Sequence, residues 1–129
     1  MAKKTLAEKM EKPAAPELVV LDKPALGCSA GAKMLIPTPR LVEAYVKANP
    51  KGETQTPQQM REQLAQEQKA DVACPLTSGI FLRIVSEASL DPDTEVDAPF
   101  WRIVDPTSPL AKKLSCGPDW IQTQRDSEA

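Results

Sequence analysis

A chain of 129 residues suits one domain, and its composition excludes much of ordinary enzyme chemistry. It contains no histidine, which rules out Ser-His-Asp catalysis, a Cys-His nucleophile pair and every histidine metal ligand. The three cysteines, Cys28, Cys74 and Cys116, are too few for a four-cysteine zinc site. A disulfide between any two of them would leave the third unpaired. The five glycines match no phosphate-loop or dinucleotide fingerprint. We therefore expect reduced thiols and a cytoplasmic location, with no metal, cofactor or catalytic residue.

Charge is unevenly distributed along the chain. The formal net charge is −2 and the isoelectric point is near 5.2, so there is no global attraction to phosphate backbones. Residues 1–33 carry a net charge of +2, residues 34–88 carry 0 and residues 89–129 carry −4. No apolar stretch approaches the ~18 residues of a membrane span, and no export signal is visible, so a membrane partner is not expected.

Residues 1–33 predict an extended or partly disordered N-terminal arm, because three prolines interrupt their short helical signal. Within the arm, Leu18-Val19-Val20-Leu21 is an apolar run that is long enough to pack as an edge strand. Sharper structural signals begin at Met34, so we place the folded domain at residues 34–129.

Three short amphipathic helices are predicted between residues 34 and 91. The second opens at Thr56, which is typical of a capping box with Gln59. The third follows Cys74-Pro75 and ends before Asp91. Its predicted buried stripe comprises Ile80, Phe81, Ile84, Val85 and Ala88.

Residues 99–105 are the best strand candidate in the chain, because they are rich in β-forming residues and are bounded by turn residues. Three helices followed by a strand and a turn predict a mainly α protein with a small β wing. The expected architecture is a winged helix-turn-helix-like domain with an extended N-terminal arm.

The third helix carries the residues best suited to contact DNA. Helical geometry places Gly79, Leu82, Arg83 and Ser86 opposite the predicted buried stripe. Gly79 permits close backbone approach, and Arg83 suits a phosphate or a guanine edge. Thr77 and Ser78 near the helix start are expected to donate to phosphate alongside free amides. The alternative is an ordinary solvated helix face, since one arginine is a thin basic patch.

Two other motifs have both a functional and a structural interpretation. Alternation in a strand puts Phe100 and Arg102 on one face and Trp101 on the other. Trp101 then either packs in the core or stacks on an extrahelical base. Cys74, at the start of the third helix, is either a nucleophile whose pKa the helix amides lower, as in a cysteine-centred enzyme, or a small buried residue or helix N-cap.

Several segments between about residues 35 and 126 follow the order of motifs found in a known protein family. The segments are residues 36–53, 56–65, 79–83 and 122–128, and the most telling is Pro99-Phe100-Trp101-Arg102-Ile103-Val104. Together they resemble the DNA-binding domain of the alkylguanine-DNA alkyltransferase family and its non-enzymatic alkyltransferase-like relatives. In that family the telling segment reads Pro-Cys-His-Arg-Val-Ile.

The departures from the family pattern bear on function. Phe100 and Trp101 stand where the family has its acceptor cysteine and activating histidine, so transfer of an alkyl group by that route is excluded. The family's phosphate-rotating tyrosine falls near Pro57 and its intercalating arginine near Leu76, so two base-flipping devices are absent. The expected protein is therefore a non-enzymatic DNA-binding protein.

The resemblance implies double-stranded DNA, including alkylated guanine, as the partner of a monomeric protein. The expected DNA-binding residues are Gly79, Arg83 and Arg102, which match family motifs, together with Thr77 and Ser78 from the start of the third helix. The implied lesion-pocket residues are Pro99, Phe100 and Trp101. The alternative is a protein-interaction module that retains the fold without binding DNA, which the low isoelectric point and the acidic last third favour.

Overall fold

The computed structural model describes residues 5–129, which are mainly helical with a small three-stranded sheet. This confirms the expected mainly α character with a small β component. In chain order the elements are α1 (Leu6–Lys9), β1 (Glu17–Val20), β2 (Lys33–Ile36), α2 (Pro39–Ala48), α3 (Pro57–Glu67), β3 (Val72–Ala73), α4 (Pro75–Leu90), a 3₁₀ turn (Phe100–Arg102), α5 (Pro109–Lys113) and α6 (Gly117–Glu128).

The helix starts follow the local sequence closely. In α3 the Thr56 hydroxyl accepts from the Gln59 amide, while the Gln59 side chain accepts from the Thr56 amide. This confirms the predicted capping box, which satisfies amides that would otherwise lack partners. Helices α2 to α6 each have a proline in the first two positions, where its fixed φ and missing N–H cost little. Much of the proline content therefore starts helices.

The sheet is built around β2. Strand β1 pairs antiparallel with β2, from Glu17 opposite Ile36 to Val20 opposite Lys33, and β3 pairs parallel on the other side of β2. The predicted edge strand in residues 18–21 is thereby confirmed. Residues 5–33 also supply Met10, which has no exposed surface and belongs to the core.

The strand predicted at residues 99–105 is wrong. Phe100 to Arg102 form a 3₁₀ turn, in which the amides of Ile103 and Val104 both donate to the Phe100 carbonyl at 2.9 Å. Burial of Phe100, Ile103 and Val104 in the core explains the same apolar content without any strand pairing. Local β-propensity therefore yielded to tertiary packing.

The face predicted to be exposed on α4 is also wrong in part. Leu82 and Ser86 have no exposed surface, whereas Ile80 is 47% exposed. The reason is that α4 packs against α1, α2, α3 and the 3₁₀ turn, so neighbours cover most of its circumference. The buried Ser86 hydroxyl is satisfied because it donates to the Leu82 carbonyl at 2.7 Å.

Candidate nucleic-acid interface

One narrow strip of α4 faces solvent. It consists of Leu76, Gly79, Ile80 and Arg83, which recur at the three- and four-residue spacing of one helix face. Leu76 is 71% exposed, and a Cβ added at Gly79 would meet no atom within 4 Å. This α4 strip can therefore be approached closely by a partner at Gly79, with Arg83 beside it.

The two hydroxyl residues predicted to donate to phosphate lie differently. Ser78 is fully buried, and the Thr77 hydroxyl oxygen is also buried; neither has a hydrogen-bond partner. Their side chains therefore do not present donors to solvent in this structure. The first turn of α4 holds no acidic residue that would repel an anion.

Charged residues lie on α4 and on α5, the next α-helix in the chain. Arg83 is exposed, and Glu87, one turn further along α4, accepts from the Ser115 amide at 3.1 Å and from its hydroxyl at 2.7 Å. These bonds hold the segment after α5 against α4. Lys112 and Lys113, in the last turn of α5 just before that segment, are exposed. α5 therefore carries two exposed cations just before the segment that Glu87 holds against α4.

A groove of about 760 Å³ lies next to the start of α4. Its walls come from α3, β3 and the chain around Leu26, and Pro75 belongs to its rim. Arg61, Glu62 and Asp71 line it, so its charge is mixed. The groove places Pro75, the first residue of α4, beside residues of α3.

The residues predicted to line a lesion pocket form a packed aromatic cluster. Phe100 is 1% exposed and stacks on Trp120 with ring centroids 5.6 Å apart and an interplanar angle of 13°. Trp101 meets both rings edge-on, at 5.6 Å from Phe100 and 5.8 Å from Trp120. The side chain of Trp120 therefore occupies one face of Phe100, and the structural interpretation of Trp101 as a core residue fits its position. Pro99 precedes this cluster and is itself only partly exposed.

Arg102 is engaged inside the protein. Its Nε donates to Glu128 Oε1 at 3.0 Å, its Nη2 to Glu128 Oε2 at 2.7 Å and its Nη1 to the Asn49 carbonyl at 2.7 Å. The side chains of Arg102 and Glu128 are 13% and 10% exposed. The guanidinium lowers the pKa of Glu128 to about 2, with smaller help from the nearby Trp101 indole, whose N–H lies outside hydrogen-bond geometry. Arg102 thus positions the 3₁₀ turn.

Cys74 is a free, partly exposed thiol at the start of α4. Burial raises its pKa, but the nearby Thr77 hydroxyl and the amides of Thr77 and Leu76 outweigh burial and leave the pKa below its ordinary value. These groups lie close to the sulfur without reaching hydrogen-bond geometry, so the attraction is that of neighbouring dipoles. No charged side chain contributes to this shift.

Searches of protein-family models, of curated proteins and of solved structures find no significant match to this chain. The resemblance to the alkyltransferase family therefore stays a prediction. Within residues 5–129, no helix has the length and apolar character needed to cross a membrane. The same residues contain no group of three or more cysteine, aspartate or glutamate side chains placed to hold a metal ion.

Proposed function

We propose that this protein is a non-enzymatic DNA-binding protein with a winged-helix-like fold. In this proposal α3 and α4 act as the helix-turn-helix and the α4 strip faces a groove of the duplex. The observation that carries it is the exposed pairing of Gly79 with Arg83. Gly79 lets the helix backbone approach closely, and Arg83 is free to reach a phosphate or a guanine edge.

The charge of the protein sets the expected strength of binding. With a net charge of −2, attraction must come from local cations, and in this proposal the cation on the α4 strip is Arg83. Each phosphate contact contributes a salt dependence of roughly −0.9 in the slope of log affinity against log salt. We therefore expect weak, strongly salt-dependent binding that is measurable at low ionic strength.

Recognition of an alkylated guanine is the more demanding form of the proposal. Phe100 and Trp120 fill the region where an extruded base would have to sit, because their rings are stacked and Phe100 is buried. A flipped base would therefore need these rings to separate, at the loss of their packing. We expect unmodified and alkylated duplexes to bind with similar affinity.

The test is fluorescence anisotropy of a labelled duplex in low salt, with and without an O⁶-alkylguanine. Arg83→Gln should weaken binding at least about fivefold, a loss of ~1 kcal/mol. Lys9→Gln removes the same charge from an exposed residue that does not belong to the α4 strip, and should change affinity less than twofold. The proposal fails if neither duplex binds above the nonspecific level at the lowest salt.

The second candidate is a protein-interaction module. The observation that favours it is the pair of exposed apolar side chains on the α4 strip, Leu76 at 71% and Ile80 at 47% exposure. Adjacent apolar residues on one helix face are typical of surfaces that dock on proteins. Under this alternative the Leu76→Ser, Ile80→Ser double variant loses binding to a partner protein, and the unaltered protein shows no retention on DNA.

A further inference from the structure

A second groove, of about 900 Å³, lies between α2 and α3 and belongs to neither the α4 strip nor the aromatic cluster. The wall from α2 is largely apolar and is made by Leu41, Ala44, Tyr45 and Ala48. The wall from α3 is polar and is made by Gln59, Glu62, Gln63, Gln66 and Glu67. Both sets follow the spacing of a single helix face, so each helix presents one continuous wall.

The polar wall carries negative charge with no cation among its lining residues, although Gln58 and Gln63 each donate a hydrogen bond, to Glu62 at 3.3 Å and to Glu67 at 3.2 Å. Glu62 and Glu67 on α3 and Glu53 in the connecting loop line the groove, and no lysine or arginine does. Among the described residues, none of these three carboxylates forms an ion pair. Besides burial, the Glu67 carboxylate raises the pKa of the Tyr45 hydroxyl on the opposite wall, so its field crosses the groove.

A separate observation points to a missing hydrogen-bond donor. Asn49 lines the groove, is 5% exposed, and its Oδ1 has no hydrogen-bond partner. Its Nδ2 donates to the Glu53 carbonyl at 2.8 Å, which fixes the orientation of the amide and leaves Oδ1 as the orphan atom. A buried acceptor without a partner is rare in folded proteins, and an N–H donor would satisfy it.

The distribution of the carboxylate and amide oxygens along the groove indicates which kind of cation it would bind. No three acidic side chains in residues 5–129 come together as a metal site, so a single small ion would not meet the groove's carboxylates at once. A flexible chain of ammonium groups separated by methylenes would place its charges on the α3 wall and its carbon segments on the α2 wall. We propose that the groove between α2 and α3 binds a linear aliphatic polyamine, with Glu62 and Glu67 as its charge partners and Asn49 accepting an N–H donor.

The test is titration with spermidine in low-salt buffer, followed by calorimetry and by the amide resonances of the ¹⁵N-labelled protein. We expect saturable binding, with shifts confined to α2, α3 and the Asn49 side-chain amide. The Glu62→Gln, Glu67→Gln variant should weaken binding at least tenfold. The Glu17→Gln, Glu95→Gln variant removes two exposed carboxylates elsewhere and should change affinity less than twofold.

Four outcomes would overturn the proposal. The first is the absence of saturable spermidine binding by the folded protein, and the second is equal weakening by the two double variants. The third is the same set of shifts from Mg²⁺ at matched ionic strength, which would mean that the groove attracts any cation. The fourth is a short polylysine peptide that occupies the groove when spermidine does not, which would assign it to a basic protein segment. None of these measurements involves DNA, so they stand apart from the proposed function.

Discussion

Arg102 and Glu128 connect the 3₁₀ turn to α6 through two side-by-side N–H···O bonds, of 3.0 and 2.7 Å. Both side chains are largely buried, so each neutralises a charge that water does not solvate. A third bond from the same guanidinium reaches the Asn49 carbonyl at the end of α2. One arginine thus ties three parts of the chain together.

Glu128→Gln should therefore destabilise the fold, because it leaves the Arg102 guanidinium buried without its counter-charge. We expect a loss of about 3 kcal/mol in the free energy of unfolding, measured by urea denaturation. Asp126→Asn is the matched control, since Asp126 lies on an exposed part of α6 and should change stability by less than about 0.5 kcal/mol. Equal effects of the two substitutions would contradict a special role for the pair.

The same pair predicts a dependence of stability on pH. The pKa of Glu128 falls from an ordinary value of 4.5 to about 2 in the folded protein, chiefly through its bonds to Arg102. A lowered folded-state pKa stabilises the protein fully above the unfolded value, and that stabilisation is lost as pH falls toward the folded value. The stability difference between the unaltered protein and Glu128→Gln should thus narrow between pH 5 and pH 2. A difference that stays constant over this range would refute the linkage.

The orientation of α4 about its own axis predicts different losses of stability for substitutions at Leu82 and at Ile80. Leu82→Ala should cost about 2–5 kcal/mol of stability, since Leu82 has no exposed surface and truncation leaves a cavity. Ile80→Ala should cost under about 1 kcal/mol, because nearly half of Ile80 already faces water. Thermal unfolding of the two variants measures both, and a larger loss for Ile80→Ala would mean that α4 is turned the other way.

Phe100 gives a test of whether its site is packed or open. Its burial and its stacking on Trp120 predict that Phe100→Ala costs about 3–5 kcal/mol in urea unfolding. Intrinsic tryptophan fluorescence should shift as well, because two indoles lose contact with the ring. A change below about 1 kcal/mol would instead indicate an open pocket lined by an exposed aromatic side chain.

The cysteines should differ in reactivity. The dipoles around Cys74 lower its pKa, whereas burial, with the negative charge of Glu87, raises the pKa of Cys116. Because the thiolate is the reactive form, iodoacetamide at pH 7.5 should modify Cys74 faster than Cys116. Mass spectrometry of peptides after brief labelling measures this, and equal rates at the two cysteines would contradict it.

The features of the fold that the sequence predicted correctly are those determined by residues close together in the chain. The capping box at Thr56 and the edge strand in residues 18–21 depend on residues close together in the chain, and both are confirmed. The exposed side of α4 depends on which elements pack around it, and a periodicity of apolar residues does not report that. The best strand candidate became a 3₁₀ turn because its aromatic residues met Trp120, which lies in a different helix.

The same distinction between features set by nearby residues and features set by packing applies to the candidate sites. Gly79 and Arg83 were predicted from their residue types and do lie on one exposed strip. Arg102 was predicted from the motif around it, but the partner that engages it, Glu128, lies 26 residues away. The groove between α2 and α3 was missed, although Gln59, Glu62, Gln63, Gln66 and Glu67 mark a polar helix face in the sequence. Only the packing of α2 opposite that face makes it a groove.

The central position of β2 has a consequence for any shortened form of the chain. β2 receives its longer hydrogen-bonded neighbour, β1, from residues that precede it, and β3 covers only two of its residues on the other side. A chain that begins at residue 34 would lack β1 and leave one edge of β2 unpaired beside the buried Leu35. An open edge of this kind recruits strands from other molecules, so the shortened protein would tend to aggregate. In the full chain β1 covers this edge of β2, and the open edge on that side of the sheet is that of β1 itself.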